Sequence, residues 1–420
     1  MTTRIAIETI KTQSPTFFKE LAVAYESLRQ NKNTDITNAE EVFLIAKIIK
    51  HHTNMNVEVH IETGSAGVIG PAIMTPDVNK NHPLFNAMRR NYFTGQNTLN
   101  DLARHNGELR GMVNIKTGWV SGYFADVTGT LYMPASIINN MKFSTEEVAA
   151  ITLHECGHMF TYFEYIARSL TTNFSLMQLQ EDLSNTKAPD EREAVLVSFG
   201  KAARIGPEKL EELSKTTDKS VISAVVLTAS AEESYSELGA NVYDSTAWEY
   251  LSDAYARAYQ AGLPLTTALD KLYRSGFNIS FRSMPVYLFY EAFKFIVLGL
   301  TFWSGIGIPL AILLFAMDGS SSDYDTPEAR FKRVKMEIIK DLKDPKISKS
   351  DTVRLTQDIE AIDELLKTIH DKRQFIGVLW DWVSIIGQKR VNYTNFQKQL
   401  EEFASNDLFV KAAQLRLAFQ

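Results

Sequence analysis

Two histidines and a glutamate form a His-Glu-x-x-His motif at residues 154–158. Residues four apart lie on one face of an α-helix, so His154 and His158 can bind one metal ion together. Glu155 follows the first histidine and is placed to take a proton from water that the metal activates. This spacing predicts a metal site with a general base beside it, and a pair of surface histidines is the alternative interpretation.

The motif lies in a segment whose pattern predicts a well-formed helix. Ser144 is followed three residues later by Glu147, which is the spacing of a capping box at a helix N-terminus. An apolar pattern begins at Val148, so the histidines fall about two turns into the helix. Cys156 lies roughly opposite the histidines on this helix, which predicts a buried core thiol rather than a third metal ligand.

A third ligand is available in segment 248–256. Glu249 and Asp253 are four residues apart in a helical pattern, so both side chains lie on one helix face. A glutamate that binds the metal and an aspartate that orients a ligating histidine would account for this pair. Glu164 stands where metzincins have their last ligand, but a straight helix carries it about 9 Å along the axis from His158. Three glutamates of another helical segment stay open as alternatives: Glu232, Glu233 and Glu237.

Four segments before the motif have patterns that predict, in order, two helices, a half-buried strand, a loop and a meander of short strands: 15–52, 56–63, 64–81 and 112–133. Adjacent histidines do not share a helix face, so His51 and His52 are predicted to point to solvent. From residue 160 onward the pattern is mostly helical. The fold class is therefore predicted to be α+β and mainly helical, with a zincin-like active-site helix beside a small β-sheet that offers an edge strand to an extended substrate.

Composition narrows the classes of function. The chain has 420 residues and a net charge of −6, whereas a nucleic-acid-binding protein is expected to carry a basic surface. A single cysteine excludes an intramolecular disulfide framework. No apolar run follows Met1, so no secretion signal is visible, and the protein is predicted to be cytoplasmic or peripherally attached to a membrane.

The segment 295–317 contains no charged residue and is long enough to span a bilayer. Its centre is interrupted by a Gly-Ile-Gly-Ile-Pro run, which favours a helical hairpin over a single span. We therefore predict an apolar helical insert at 286–317 that contacts a membrane or packs against a partner chain, including a second copy in a homo-oligomer. Residues 341–420 are predicted to form a helical C-terminal extension.

Three stretches together resemble the M48 zinc peptidases, which are gluzincins: His154–His158, Glu249–Asp253 and Thr326–Val334. The family pattern is His-Glu-x-x-His, then Glu-x-x-Ala-Asp, and then a Pro-Glu-Glu-Arg-Ile stretch that usually follows a histidine. This chain departs from the pattern at Ser252, in place of alanine, and at Thr326, in place of that histidine.

The resemblance implies that three residues bind Zn²⁺: His154, His158 and Glu249. It also implies that Glu155 is the catalytic base and that Asp253 supports the site. Arg330, in the third stretch, and Tyr255 are candidates for stabilising the site or the developing oxyanion. On this interpretation residues 1–110 belong to the catalytic domain as its N-terminal helical and strand segment, and residues 111–340 form the peptidase core.

The sequence thus predicts a zinc-dependent endopeptidase that cleaves a peptide or protein substrate. A rival hypothesis is a structural or assembly protein of a larger complex, such as a virion or a membrane-associated assembly, that keeps a zincin fold without turnover. A third is a peptidase held latent by its own 64–82 loop or by its C-terminal segment.

Overall fold

The computed structural model describes residues 14–274, 327–342 and 347–368, apart from gaps at 15, 32–35, 38, 64–70, 76–107, 110, 140–141, 186–188, 203–208, 210, 212–218, 240–241 and 243–245. The chain divides into two compact units, Met1–Ala261 and Gly262–Gln420. The division lies inside the segment 111–340, which is predicted from the sequence to form one peptidase core. The predicted insert at 286–317 and the extension beyond residue 368 lie outside the described residues.

Two amphipathic helices open the first unit, as predicted: α1 (Phe17–Gln30) and α2 (Glu40–Thr53). Apolar residues recur on one face of each helix and are buried. α2 ends at Asn54, which adopts the left-handed conformation that commonly terminates a helix. The prediction for His52 was wrong, because its side chain is only 6% exposed, its ring stacks on Phe17 and its Nε2 lies 2.8 Å from Glu20 Oε2.

The described strands form two small sheets. One contains β1 (Asn56–Glu62), β2 (Ala72–Met74) and β5 (Thr128–Pro134), and its strands lie in the order β1-β5-β2. β1 runs parallel to β5, whereas β2 is antiparallel to it and lies at the edge. The other sheet pairs β3 (Val113–Asn114) with β4 (Trp119–Val120).

This topology corrects two predictions about the strands. Residues 72–74 form an edge strand instead of continuing the predicted loop. The segment 112–133 is not a simple meander, because β5 leaves its sequence neighbours and pairs with β1, some seventy residues earlier in the chain. Strand pairing of this kind depends on contacts distant in sequence, which local patterns do not specify.

One face of the three-stranded sheet packs against the helix that carries the motif. Leu131 and Met133 of β5 are fully buried, and an added Cβ at Gly129 would meet Met159 Sδ at 2.8 Å. Residues of a strand alternate between faces, so these three positions share the face that meets the helix. The motif helix therefore packs on the buried face of this sheet.

The motif helix, α4 (Thr145–Asn185), follows a short helix, α3 (Ala135–Ile138). The predicted capping box is confirmed, because the Ser144 N–H donates to Glu147 Oε2 at 2.8 Å and the Glu147 N–H donates to Ser144 Oγ at 3.1 Å. Thr152 and Tyr25 share a buried hydrogen bond of 2.6 Å that ties α4 to α1. Later in the described part of this unit lie the helices α5 (Pro189–Ala202), α6 (Lys219–Leu238) and α7 (Thr246–Ala258).

The second unit contains three described helices: α8 (Gly262–Arg274), α9 (Pro327–Leu342) and α10 (Lys349–Thr368). α9 and α10 share a buried apolar cluster that includes Phe331, Ile338 and Ile359. The fold class is thus confirmed as mainly helical with a small mixed sheet. Among the described helices, none combines the length and the apolar character that crossing a membrane requires.

Candidate metal centre

Helices α4 and α7 pack against each other more extensively than any other pair of described elements, and the predicted ligands lie where they meet. His154 and His158, one turn apart on α4, have their Nε2 atoms 3.1 Å apart. Glu249 of α7 places Oε2 3.4 Å from His154 Nε2 and Oε1 3.3 Å from His158 Nε2. Three potential ligands from two helices therefore converge on one point.

The spacing of these atoms fits a single small ion. Zinc in proteins binds imidazole nitrogen at about 2.0–2.1 Å and carboxylate oxygen at about 2.0–2.2 Å, so ligands at two corners of a tetrahedron are roughly 3.3–3.5 Å apart. The two Nε2 atoms are 3.1 Å apart, which is close to that edge length, and the two Glu249 oxygens lie 3.3 and 3.4 Å from one Nε2 atom each. One ligand atom from each of the three residues lies within 4.8 Å of the other two. The cluster of His154, His158 and Glu249 can therefore hold a metal ion with three protein ligands.

The three side chains of the cluster differ in burial. His154 and Glu249 are buried, whereas the His158 side chain is 20% exposed. A three-ligand site with partial access to solvent leaves room for a water molecule or a substrate atom. A closed structural zinc site would instead be expected to have four protein ligands.

Asp253 lies behind His154, within ion-pair distance of its ring. Its Oδ1 is 2.9 Å from His154 Nδ1, on the side of the ring opposite Glu249. Burial by itself lowers the pKa of His154, but the hydrogen bonds and charges of Asp253 and Glu249 outweigh it and raise the pKa to about 10. Nε2, which faces His158 and Glu249, is the nitrogen that can bind a metal, and binding there would displace the proton it otherwise carries while Nδ1 keeps the proton that faces Asp253.

Glu155 lies beside the cluster without joining it. Its Oε2 accepts a hydrogen bond of 3.0 Å from the backbone N–H of Ile73, which belongs to the edge strand β2. Burial raises the pKa of Glu155, and the neighbouring histidines His158 and His154 oppose that rise. A carboxylate that a backbone donor holds next to a set of candidate metal ligands has the placement that a general base needs.

The remaining predicted residues are buried. Tyr255 is fully buried on α7, where its ring packs against Phe160 and Tyr259 with centroids 5.3 and 5.0 Å away. Burial raises the pKa of Tyr255 well above its ordinary value. Arg330 is a buried residue of α9 in the second unit. Cys156 is a buried free thiol, as predicted.

The alternative third ligands have other partners. Arg168 Nε lies 2.8 Å from Glu164 Oε2, and Arg168 Nη2 lies 2.5 Å from Glu237 Oε2. Glu232 pairs with Lys209. These pairings leave Glu249 as the carboxylate that the structure brings to the two histidines.

Sequence reasoning missed two contributors to this site. Ile73 acts through its backbone, so its side-chain type gives no signal, and it lies in a segment predicted to be a loop. Gly157 lies where α4 and α7 approach closely, since a Cβ added there would lie 2.7 Å from Ser252 Cα. A glycine inside a helix is a detectable signal, because it costs about 0.5–1 kcal/mol relative to alanine and so implies a packing reason.

Comparison of the chain with protein-family models, with curated proteins and with solved structures found no match. The resemblance to the M48 zinc peptidases therefore stays a prediction from the motif residues of this chain.

Proposed function

We propose that this protein is a zinc-dependent endopeptidase of the gluzincin type, in which His154, His158 and Glu249 bind Zn²⁺ and Glu155 is the general base. The observation that carries the proposal is the separation of roles within one buried cluster. Three side chains converge on one point, while a fourth, Glu155, is held beside them on a backbone donor. A structural zinc site has no use for a general base.

A Zn²⁺ ion bound here would supply a Lewis acid that polarises a peptide carbonyl and makes water acidic enough to lose a proton near neutral pH. Glu155 accepts that proton and then delivers it to the leaving amine. The hydrogen bond from Ile73 holds Oε2, so the carboxylate is oriented before substrate arrives. Asp253 holds the His154 ring in its ligating orientation throughout.

The edge strand β2 supports an extended peptide as the substrate. The Ile73 N–H points away from β5, since it donates to Glu155, and in an antiparallel pair the carbonyl of the same residue points the same way. That outward carbonyl is an acceptor for the N–H of a substrate strand laid along the edge. The substrate backbone would then lie directly beside the general base.

The test is the variant Glu155→Gln, which keeps the shape and the hydrogen bond to Ile73 but cannot accept a proton. We expect zinc content and melting temperature to be unchanged while cleavage of a denatured protein substrate falls by about 10²–10⁴-fold. Glu146→Gln, an exposed change on the same helix, is the matched control and should cleave like the wild type.

Two results would count against the proposal. Cleavage by Glu155→Gln at the wild-type rate would remove Glu155 from the mechanism. A zinc-loaded wild type that cleaves nothing in a broad peptide library would favour the structural or assembly role.

A further inference from the structure

The two helices of the metal centre carry the same spacing of residue types. On α4, His154, Gly157 and His158 stand at positions i, i+3 and i+4. On α7, Glu249 and Asp253 have Ser252 at the equivalent i+3 position. Residues at i, i+3 and i+4 share a helix face, so each small residue lies on the same face as the functional side chains.

These two small residues meet at the crossing of the helices. A Cβ added at Gly157 would lie 2.7 Å from Ser252 Cα, 3.0 Å from Ser252 O and 3.0 Å from Tyr255 Cβ. Two of these three atoms belong to the backbone of α7, so no side-chain rotation relieves the contact. Ser252 is completely buried at this point.

Relief of such a contact requires the helices to separate. Carbon atoms in contact are ordinarily about 3.5–4.0 Å apart, so a 2.7 Å contact implies a displacement of roughly 1 Å. Metal sites tolerate deviations of about 0.2 Å in their ligand distances. The displacement would carry Glu249 on α7 away from the two histidines on α4.

From this geometry we infer that Gly157 is a positioning residue, which sets the spacing of α4 and α7 so that Glu249 reaches the ion bound by His154 and His158. The inference rests on the proposed metal site and adds a residue that touches neither metal nor substrate. Alanine is ordinarily favoured over glycine inside a helix. A loss of zinc affinity in Gly157→Ala would therefore come from the helix contact and not from helix propensity.

The experiment is a double-mutant cycle between Gly157→Ala and Glu249→Ala, with zinc affinity measured by competition with a chelating dye. In the wild-type background, Glu249→Ala should weaken zinc binding by at least about tenfold. Gly157→Ala alone should weaken it by a similar factor. In the Gly157→Ala background the further loss from Glu249→Ala should shrink to less than about threefold, because Glu249 no longer reaches the ion.

Gly111→Ala is the matched control, because an added Cβ there meets nothing within 4 Å. It should leave zinc affinity at the wild-type value. If Gly157→Ala is too unstable to purify, Ser252→Thr adds a methyl group to the facing helix at the same crossing, and the same cycle with Glu249→Ala applies.

Wild-type zinc affinity in folded Gly157→Ala would overturn the inference and leave the metal site intact. So would a full Glu249 effect in both backgrounds, since Gly157 would then act through general stability alone. A wild-type protein that binds no zinc would instead overturn the proposed function.

Discussion

Helix α4 carries two buried clusters of charged side chains, about three turns apart, and they are built differently. In one, Arg168 lies between Glu164, four residues earlier on α4, and Glu237 of α6. In the other, His154 lies between Glu249 and Asp253 of α7. Both use the i, i+4 spacing on α4 and both join it to a second helix.

The difference lies in the cation. Arginine stays charged at every pH at which the protein folds, so Glu164 and Glu237 always have a positively charged neighbour in Arg168. Burial lowers the pKa of Arg168, but Glu164 and Glu237 outweigh it, so the pKa rises. Imidazole carries its positive charge only when protonated, and it exchanges that proton for a metal ion. The Arg168 cluster therefore contains its own permanent cation, whereas the His154 cluster can bind an added cation.

The largest expected effect on stability comes from removing the permanent cation. Arg168→Met removes the guanidinium that pairs with Glu164 and Glu237, and breaking a buried ion pair in this way is expected to lower the free energy of unfolding by about 3–5 kcal/mol. Urea denaturation of the zinc-free protein measures this loss. Zinc affinity of the folded fraction should stay the same.

The matched control removes all three charges at once, as Glu164→Gln, Arg168→Met and Glu237→Gln. Most of the lost stability should return, because no unpaired charge remains. Equal instability of the single and triple variants would mean that Arg168 acts through packing rather than charge.

An intermediate effect is expected at Asp253, which supports the other cluster. Asp253→Asn keeps the size of the side chain but removes the charge that holds the Nδ1 proton of His154, and we expect zinc affinity to fall by about 10–100-fold. Asp126→Asn, an exposed change in the same unit, should have no effect on zinc binding. Wild-type affinity in Asp253→Asn would show that the ring is oriented without Asp253.

The smallest effect is expected at the edge strand. Ile73→Pro removes the N–H that holds Glu155, and an edge strand accepts proline where the N–H points away from the ladder. Loss of a hydrogen bond to a charged group, about 1.5 kcal/mol, predicts about tenfold slower peptide cleavage with unchanged zinc content. Ile73→Ala keeps the N–H and trims the side chain, so it separates the backbone effect from packing.

Much of the α4–α7 site follows from short-range spacing. The capping box at Ser144, the histidine pair and the Glu249–Asp253 pair each depend on positions three or four residues apart, which a helix converts directly into neighbours. The pairing of the two helices was inferred from the residue types that a zinc ion needs, and the structure brings those side chains together.

Other features depend on contacts that no local pattern encodes. The parallel pairing of β1 with β5 joins Val57 to Gly129, and the contact of Ile73 with Glu155 joins residues 82 positions apart. The same holds for His52, whose buried position follows from Phe17 and Glu20 on another helix. Tertiary packing decides such positions, and single-residue propensities do not.

Zinc stoichiometry tests the central claim most directly. Protein purified without chelator should contain about one zinc per chain by elemental analysis, and His154→Ala should contain none while remaining folded. Arg168→Lys, a change in the other buried cluster of α4, should keep its zinc. A wild-type protein that is metal-free as purified and does not take up added zinc would contradict the account.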